Sequence, residues 1–125
     1  MIHLDTHVVA WLYAGLSERI PPGVRKKLES ETLVISPMAV LELQYLFEIG
    51  RTREPARVVV KYLERRIGLE ISAAPFCDVI GVAAEFGWTR DPFDRIIAAT
   101  AKIDGAALLT ADTEMLKHFP QAAWE

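Results

Sequence analysis

Four carboxylates in this chain stand where acids either begin helices or do chemistry. Asp5 directly follows the apolar run "IHL" (2–4). Glu42 lies within "PMAVLELQYLFEIG" (37–50), Asp94 within "RDPFDRIIAATA" (90–101), and Asp112 two residues past "ALLT" (107–110). There are only six aspartates in all, the others being Asp78, Asp91 and Asp104. Gathered in one place, four such acids would repel, because two charges ~4 Å apart cost about 4 kcal/mol at an effective dielectric of about 20. Protonation relieves part of that, and a hard divalent cation relieves more, since carboxylate oxygens with water suit Mg²⁺ or Mn²⁺. The chemistry such a set favours is metal-assisted hydrolysis of a phosphodiester.

Each acid has a simpler reading beside the chemical one. Asp5 and Asp112 could be turn or N-cap residues, which Asp favours anyway. Glu42 is harder to place on a wet surface. At about 100° per residue it lies roughly 160° from Gln44 and roughly 120° from Glu48, which mark the polar side. Its neighbours one turn away are Met38, Tyr45 and Leu46, so it faces inward, where a carboxylate is costly without a hydrogen bond, a cation or a metal. A structural ion pair with a buried arginine would also answer that need. Asp94 falls at the third helical position, with Ile97, Ala98 and Ala101 following on its face. A capping box prefers the longer Glu or Gln there. Asp91, followed by Pro92, is the better cap, which frees Asp94 to point into a cleft.

The elements that must position these acids alternate. Short β-like runs at 2–4, 33–36, 69–72 and 107–110 are separated by helical stretches at 6–15, 22–30, 37–49, 54–67, 75–86, 92–104 and 113–118. Ser36-Pro37 and Asp91-Pro92 read as N-cap then first helical residue, and Gly50, Gly68 and Gly105 sit where helices should stop. Strands alternating with helices imply α/β architecture, a three-layer α/β/α sandwich around a mostly parallel sheet. Ligands of such sheets bind beyond the carboxyl ends of the strands, where Asp5 and Asp112 fall.

Bulk properties fit one domain spanning 1–125, with 51% apolar and 25% charged residues. The start "MIHLDTH" lacks the basic and apolar regions of a signal peptide, and no stretch approaches a membrane span. A cytoplasmic protein is therefore expected. Cys77, the only cysteine, cannot form an internal disulfide and reads as a small core residue. Net charge is −3, without the basic footprint of simple nucleic-acid binders. The segment 51–66 nevertheless concentrates Arg51, Arg53, Arg57, Lys61, Arg65 and Arg66, either a solvated helix face or a surface for phosphate or a partner. His3 and His7 are four apart but straddle a strand and a turn, so a shared zinc ion is not expected. Trp11, Trp88 and Trp124 read as core or interface.

Taken together, "MIHLDTHVVAWL", "ISPMAVLEL", "RDPFDRIIAATA" and "LLTADTEM" resemble the PIN-domain ribonucleases, in particular VapC-like toxins of toxin–antitoxin pairs. The resemblance covers essentially the whole chain, with its motifs in the expected order. It implies that Asp5, Glu42, Asp94 and Asp112 form the catalytic, metal-holding centre. Asp5, Asp94 and Asp112 would anchor Mg²⁺ or Mn²⁺, with Glu42 a ligand or an orienter of the attacking water. Thr6, Thr110 and Asp91 would support them. It further implies an RNA substrate cut to a 5′-phosphate and a 3′-hydroxyl, a small inhibitory antitoxin and a homodimer. Arg51, Arg53, Arg90 and Arg95 are candidate RNA contacts. Two rivals stand beside this reading. One is a PIN-like module that binds RNA or protein without turnover. The other is a haloacid-dehalogenase-like phosphatase, which needs a second Asp two residues after the first, where this chain has His7. A receiver domain would need a phospho-accepting Asp near "SAAPF" (72–76), which has none.

Overall fold

A computed structural model describes all 125 residues. Its centre is a five-stranded sheet of β1 (Ile2–Leu4), β2 (Leu33–Ile35), β3 (Glu70–Ile71), β4 (Ala107–Leu109) and β5 (Ala122–Ala123), ordered β3-β2-β1-β4-β5. Every pairing is parallel. The first strand is therefore the middle one, flanked by β2 and β4. The chain builds outward to β3 on one side, then crosses back to lay β4 on the other. That reversal opens a crevice at the carboxyl end of β1, the position at which α/β sheets bind ligands.

Seven helices connect and cover the strands: α1 (Thr6–Ala14), α2 (Pro22–Ser30), α3 (Pro37–Glu48), α4 (Ala56–Ile67), α5 (Phe76–Ala83), α6 (Pro92–Ile103) and α7 (Thr113–His118). All three residues of β1 and of β2 are buried, although neighbours along a strand point to opposite faces, so both faces of the sheet's middle are covered. Helices α1, α3 and α4 pack on one another, α5 packs on α6, and α3 also touches α6. The main core runs from Ile2, Leu4, Leu33 and Ile35 through Val8, Leu43, Val59 and Leu63 to Ile97, Leu108 and Met115. Burying each large aliphatic side chain contributes roughly 1.5–3 kcal/mol. A smaller core of Val79, Ala83 and Ala99 joins α5 to α6.

Local chemistry sets the boundaries. Ser36 caps α3 by accepting from the Met38 amide at 3.1 Å, and Pro37 occupies the first turn, where its missing N–H costs nothing. Gly68 closes α4 and Gly105 follows α6, with φ of 68° and 66°, the left-handed region glycine enters without strain. The expected helix at 75–86 is shorter, Phe76–Ala83, and the following residues turn back on themselves through Glu85 N–H to Val82 and Phe86 N–H to Ala83. Strand β5 had no counterpart in the sequence pattern; it pairs with β4, and the Ala122 amide also donates to the Phe119 carbonyl at 3.0 Å. Cys77 is exposed, not a core residue, because α5 buries Val79 and Ala83, one turn apart, and Cys77 lies off that face.

Candidate active site

Asp5 is the innermost of the four acids, 5% exposed at the end of β1. It caps α1, its Oδ1 accepting from the Thr6 amide at 2.8 Å, while its Oδ2 accepts from the Thr110 hydroxyl at 2.6 Å. Thr110 in turn accepts from the Asp112 amide at 3.0 Å. A continuous chain of bonds thus joins the ends of β1 and β4, which are already neighbours through Asp5 N–H to the Leu109 carbonyl at 3.0 Å. Asp112 caps α7, with Oδ1 accepting from the Met115 amide at 2.9 Å. Capping and site geometry are therefore not alternatives for Asp5 and Asp112: the cap uses one oxygen and fixes the direction of the other.

Glu42 is half-buried on α3, and no cation pairs with it. The structural ion pair is absent. Burial raises its pKa above the usual value; the nearby Thr6 hydroxyl and His7 oppose the rise, and the charges of Asp5 and Asp91 reinforce it. Thr6 is fully buried, and although its hydroxyl lies near enough to favour the Glu42 carboxylate, it has no partner at ordinary bonding distance. Such an orphan is uncommon in a core and is aimed at the acids.

Asp91 starts α6, its Oδ1 accepting from the Phe93 amide at 2.8 Å and the Asp94 amide at 3.4 Å. The helix is then seated by Ile97, Ala98 and Ala101, all fully buried. The alanines allow close approach, and enlarging one would overpack the contact by about 1–3 kcal/mol. Asp94, left free by the cap, is pushed up to about 7. Burial is the largest cause, followed by repulsion from Asp91, Asp5, Asp112 and Glu42. Asp5 is also raised by burial, which the bonds from Thr110 and Thr6 and the charge of His7 offset, while Asp112 adds to it. Asp94 feels the other three candidate acids, which places all four in one electrostatic neighbourhood.

The donor set is all oxygen, which suits a hard cation. No three His, Cys, Asp or Glu side chains stand close enough to enclose an ion. The arrangement fits a cation that keeps several waters and takes few direct protein ligands, as Mg²⁺ usually does. It does not fit a dry protein cage.

Two braces escaped the sequence reading. The Thr100 hydroxyl bonds that of Ser36 at 2.9 Å and donates to the Ile96 carbonyl at 2.6 Å, tying the helix of Asp94 to the start of the helix of Glu42. A threonine within "IIAATA" was the available signal. Second, fully buried His3 bonds Asp104 Oδ2 at 2.7 Å, and the Ser72 hydroxyl donates to the same oxygen at 2.7 Å. These partners are far apart in sequence and gave no local signal. His3 is thus committed to Asp104, whereas His7 is exposed on α1. Arg90 and Arg95 each spend an N–H on a loop carbonyl, Gly87 and Thr89 respectively, both at 2.8 Å, and so shape the approach to α6.

A parallel α/β/α domain with clustered acids at its switch point defines a class of acidic-centre domains suited to hard cations. A model of one such family, the PIN domain, matches residues 2–121. The chain belongs to the PIN domain family. Among curated relatives, Ribonuclease VapC22 of Mycobacterium tuberculosis is 29% identical over 122 residues, covering 92% of this chain and 89% of the relative. Among solved structures, VapBC2 of Rickettsia felis bound to a promoter DNA fragment superposes with a TM-score of 0.69 at 23% identity, over 100% of this chain and 98% of that one. FitAcB of Neisseria gonorrhoeae gives 0.55 at 25% identity, over 100% and 97%. A toxin–antitoxin complex of Klebsiella pneumoniae gives 0.69 at 17% identity, over 98% and 96%.

Proposed function

We infer that the protein is an endoribonuclease, the toxin of a toxin–antitoxin pair, whose site of Asp5, Glu42, Asp94 and Asp112 holds Mg²⁺ or Mn²⁺. The observation that carries this reading is the mutual repulsion of Asp5, Glu42, Asp94 and Asp112, the first buried, the next two half-buried and the last exposed, with no salt bridge to any of them. A stability-driven site would pair them with cations of the protein. A cation bound there would lower the pKa of water and offset charge on the phosphate. The protein's own contribution is preorganisation: Thr110 and the Thr6 amide hold Asp5 in one orientation, and the Asp91 cap directs Asp94. Glu42 faces the centre from α3, where it can orient a water. Family membership and the ribonuclease name of a relative support RNA as substrate, and the complexes among the structural relatives support a small antitoxin partner. A homodimer accords with the exposed apolar ridge of Leu41 and Tyr45 on α3 and Ile49 just past its end.

Hydrolysis of defined RNAs with Mg²⁺ or Mn²⁺, with EDTA, and with Asp5→Asn and Asp94→Asn tests the assignment. Loss of cleavage of at least about a hundredfold is expected in EDTA and in each variant. Cleavage that persists in EDTA or in both variants refutes the metal-carboxylate centre. RNA binding without cleavage under any metal condition returns the chain to a binding module.

A further inference from the structure

Beside the acidic centre, and joined to it by His7, lies a cleft of about 600 Å³ between α1, α3, the start of α4 and the loop 50–55. Three guanidinium groups line it, Arg19, Arg51 and Arg53, with Glu54 the one acid. None of the three enters an ion pair. Trp11 forms part of the wall, with the Arg19 guanidinium 5.7 Å from its ring centre and His7 at 6.4 Å. The loop carrying Arg51 and Arg53 is pinned, the Arg51 amide donating to the Leu46 carbonyl at 2.8 Å and the Ala56 amide to Gln44 Oε1 at 3.2 Å. The volume lies within the usual range of ligand sites.

We propose that this cleft is a subsite for single-stranded RNA, seating the nucleotides on one side of the phosphate that lies at the acidic centre. The proposal rests on the endoribonuclease reading and adds where the strand runs. Three unpaired guanidinium groups in a net-negative chain are a local demand for anions, and their planar forks match phosphate oxygens in pairs. Aromatic surface interleaved with arginine is the arrangement that holds unpaired bases without reading their sequence. Continuity through His7 makes one strand long enough to touch both regions the natural occupant. The basic segment 51–66 thereby divides. Arg51 and Arg53 belong to the cleft, whereas Arg57, Arg65 and Arg66 lie exposed on α4 outside it, Arg66 resting over Tyr62 at 5.8 Å.

The test is fluorescence anisotropy with a labelled 12-nucleotide single-stranded RNA in EDTA, where cleavage does not intervene. The full chain is compared with Arg19→Gln/Arg51→Gln/Arg53→Gln and with Arg57→Gln/Arg65→Gln/Arg66→Gln. All six residues are exposed, so both variants should fold normally. The cleft variant should bind at least about tenfold more weakly, with its salt slope lowered by about 2, at roughly 0.7 per phosphate contact. The α4 variant should stay within about threefold of the parent. Equal losses in the two variants, or none in the cleft variant, overturn the proposal, as does a parent chain that does not bind the RNA. An oligoglutamate peptide of equal charge that binds the parent more tightly than the RNA does, with that preference lost in the cleft variant, overturns it in favour of a protein partner. Asp5→Asn separates the two readings. If it abolishes cleavage while the cleft variant binds and cleaves normally, the cleft assignment fails and the active centre stands. If the cleft variant loses RNA while no chain cleaves, the reverse holds.

Discussion

Replacing Asp94 by Asn should make the metal-free protein more stable while removing its activity. The Asp94 carboxyl rises from an ordinary 3.8 to about 7, through burial and the charges of Asp91, Asp5, Asp112 and Glu42. Below about pH 4 it is protonated in both folded and unfolded chains and contributes no difference. As pH climbs from there toward 7, the unfolded chain gives up a proton that the folded chain retains, so stability falls, and above 7 the loss is complete. At about 1.36 kcal/mol per pH unit the full rise corresponds to about 4 kcal/mol. Asp94 is only half-buried, and solvent screening reduces this to roughly 1–2 kcal/mol. For a domain of this size that is a gain of about 4–8 °C in Tm for the Asn variant. Thermal unfolding in EDTA at pH 4 and pH 8 measures it: the two proteins should melt together at pH 4 and separate at pH 8. Added Mg²⁺ should then close the gap by raising the parent and not the variant. An Asn variant that is no more stable than the parent at pH 8 in EDTA refutes the claim that these acids strain the fold.

Thr110→Val removes the 2.6 Å bond to Asp5 while keeping the side chain's shape. It should cost about 1.5–3 kcal/mol in denaturant unfolding and move the acid limb of the pH–rate profile upward, since Asp5 loses a bond that favours its charged form; an unmoved limb would mean that Thr110 does not tune Asp5. His3 is lowered by burial, the Asp104 bond and charge opposing in part. As pH falls below about 6.5 the unfolded chain takes a proton that the folded chain refuses, and stability drops by up to about 1.4 kcal/mol per pH unit until the folded value is reached. His3→Gln should therefore close on the parent between pH 7 and pH 5 in urea titrations, and a constant difference would count against this origin.

The architecture was legible where local chemistry is strong. Ser36-Pro37, Asp91-Pro92 and the glycines at 68 and 105 marked helix ends because each satisfies or frees a specific backbone group. The partial burial of Glu42 was legible because a carboxylate on an apolar helix face conflicts with the pattern around it. Strand β5 was not, since two alanines carry no alternation, and neither was the exposure of Cys77, which depends on which face of α5 meets α6. The bond from His3 to Asp104 joins residues 101 positions apart, and only the sheet order brings them together. Arg19 was missed for a similar reason: it lies in a short 3₁₀ turn, and its neighbourhood with Arg51 is made by the packing of α1 on α3.

Because the first strand is the central one, one of its two neighbours, β4, is made long after it. A chain stalled or clipped before residue 107 has Asp5 but no β4 to lie against it and no Thr110 to orient it. Residues 33–35 can pair with β1 as soon as they are made, yet the acidic centre closes only once residues 107–112 have joined it. The strand order therefore makes the geometry of the acids depend on a long-range pairing and not on the first strand alone. Until that late pairing forms, Asp5 lacks the Thr110 bond that orients it, and the acids are not set in their final geometry.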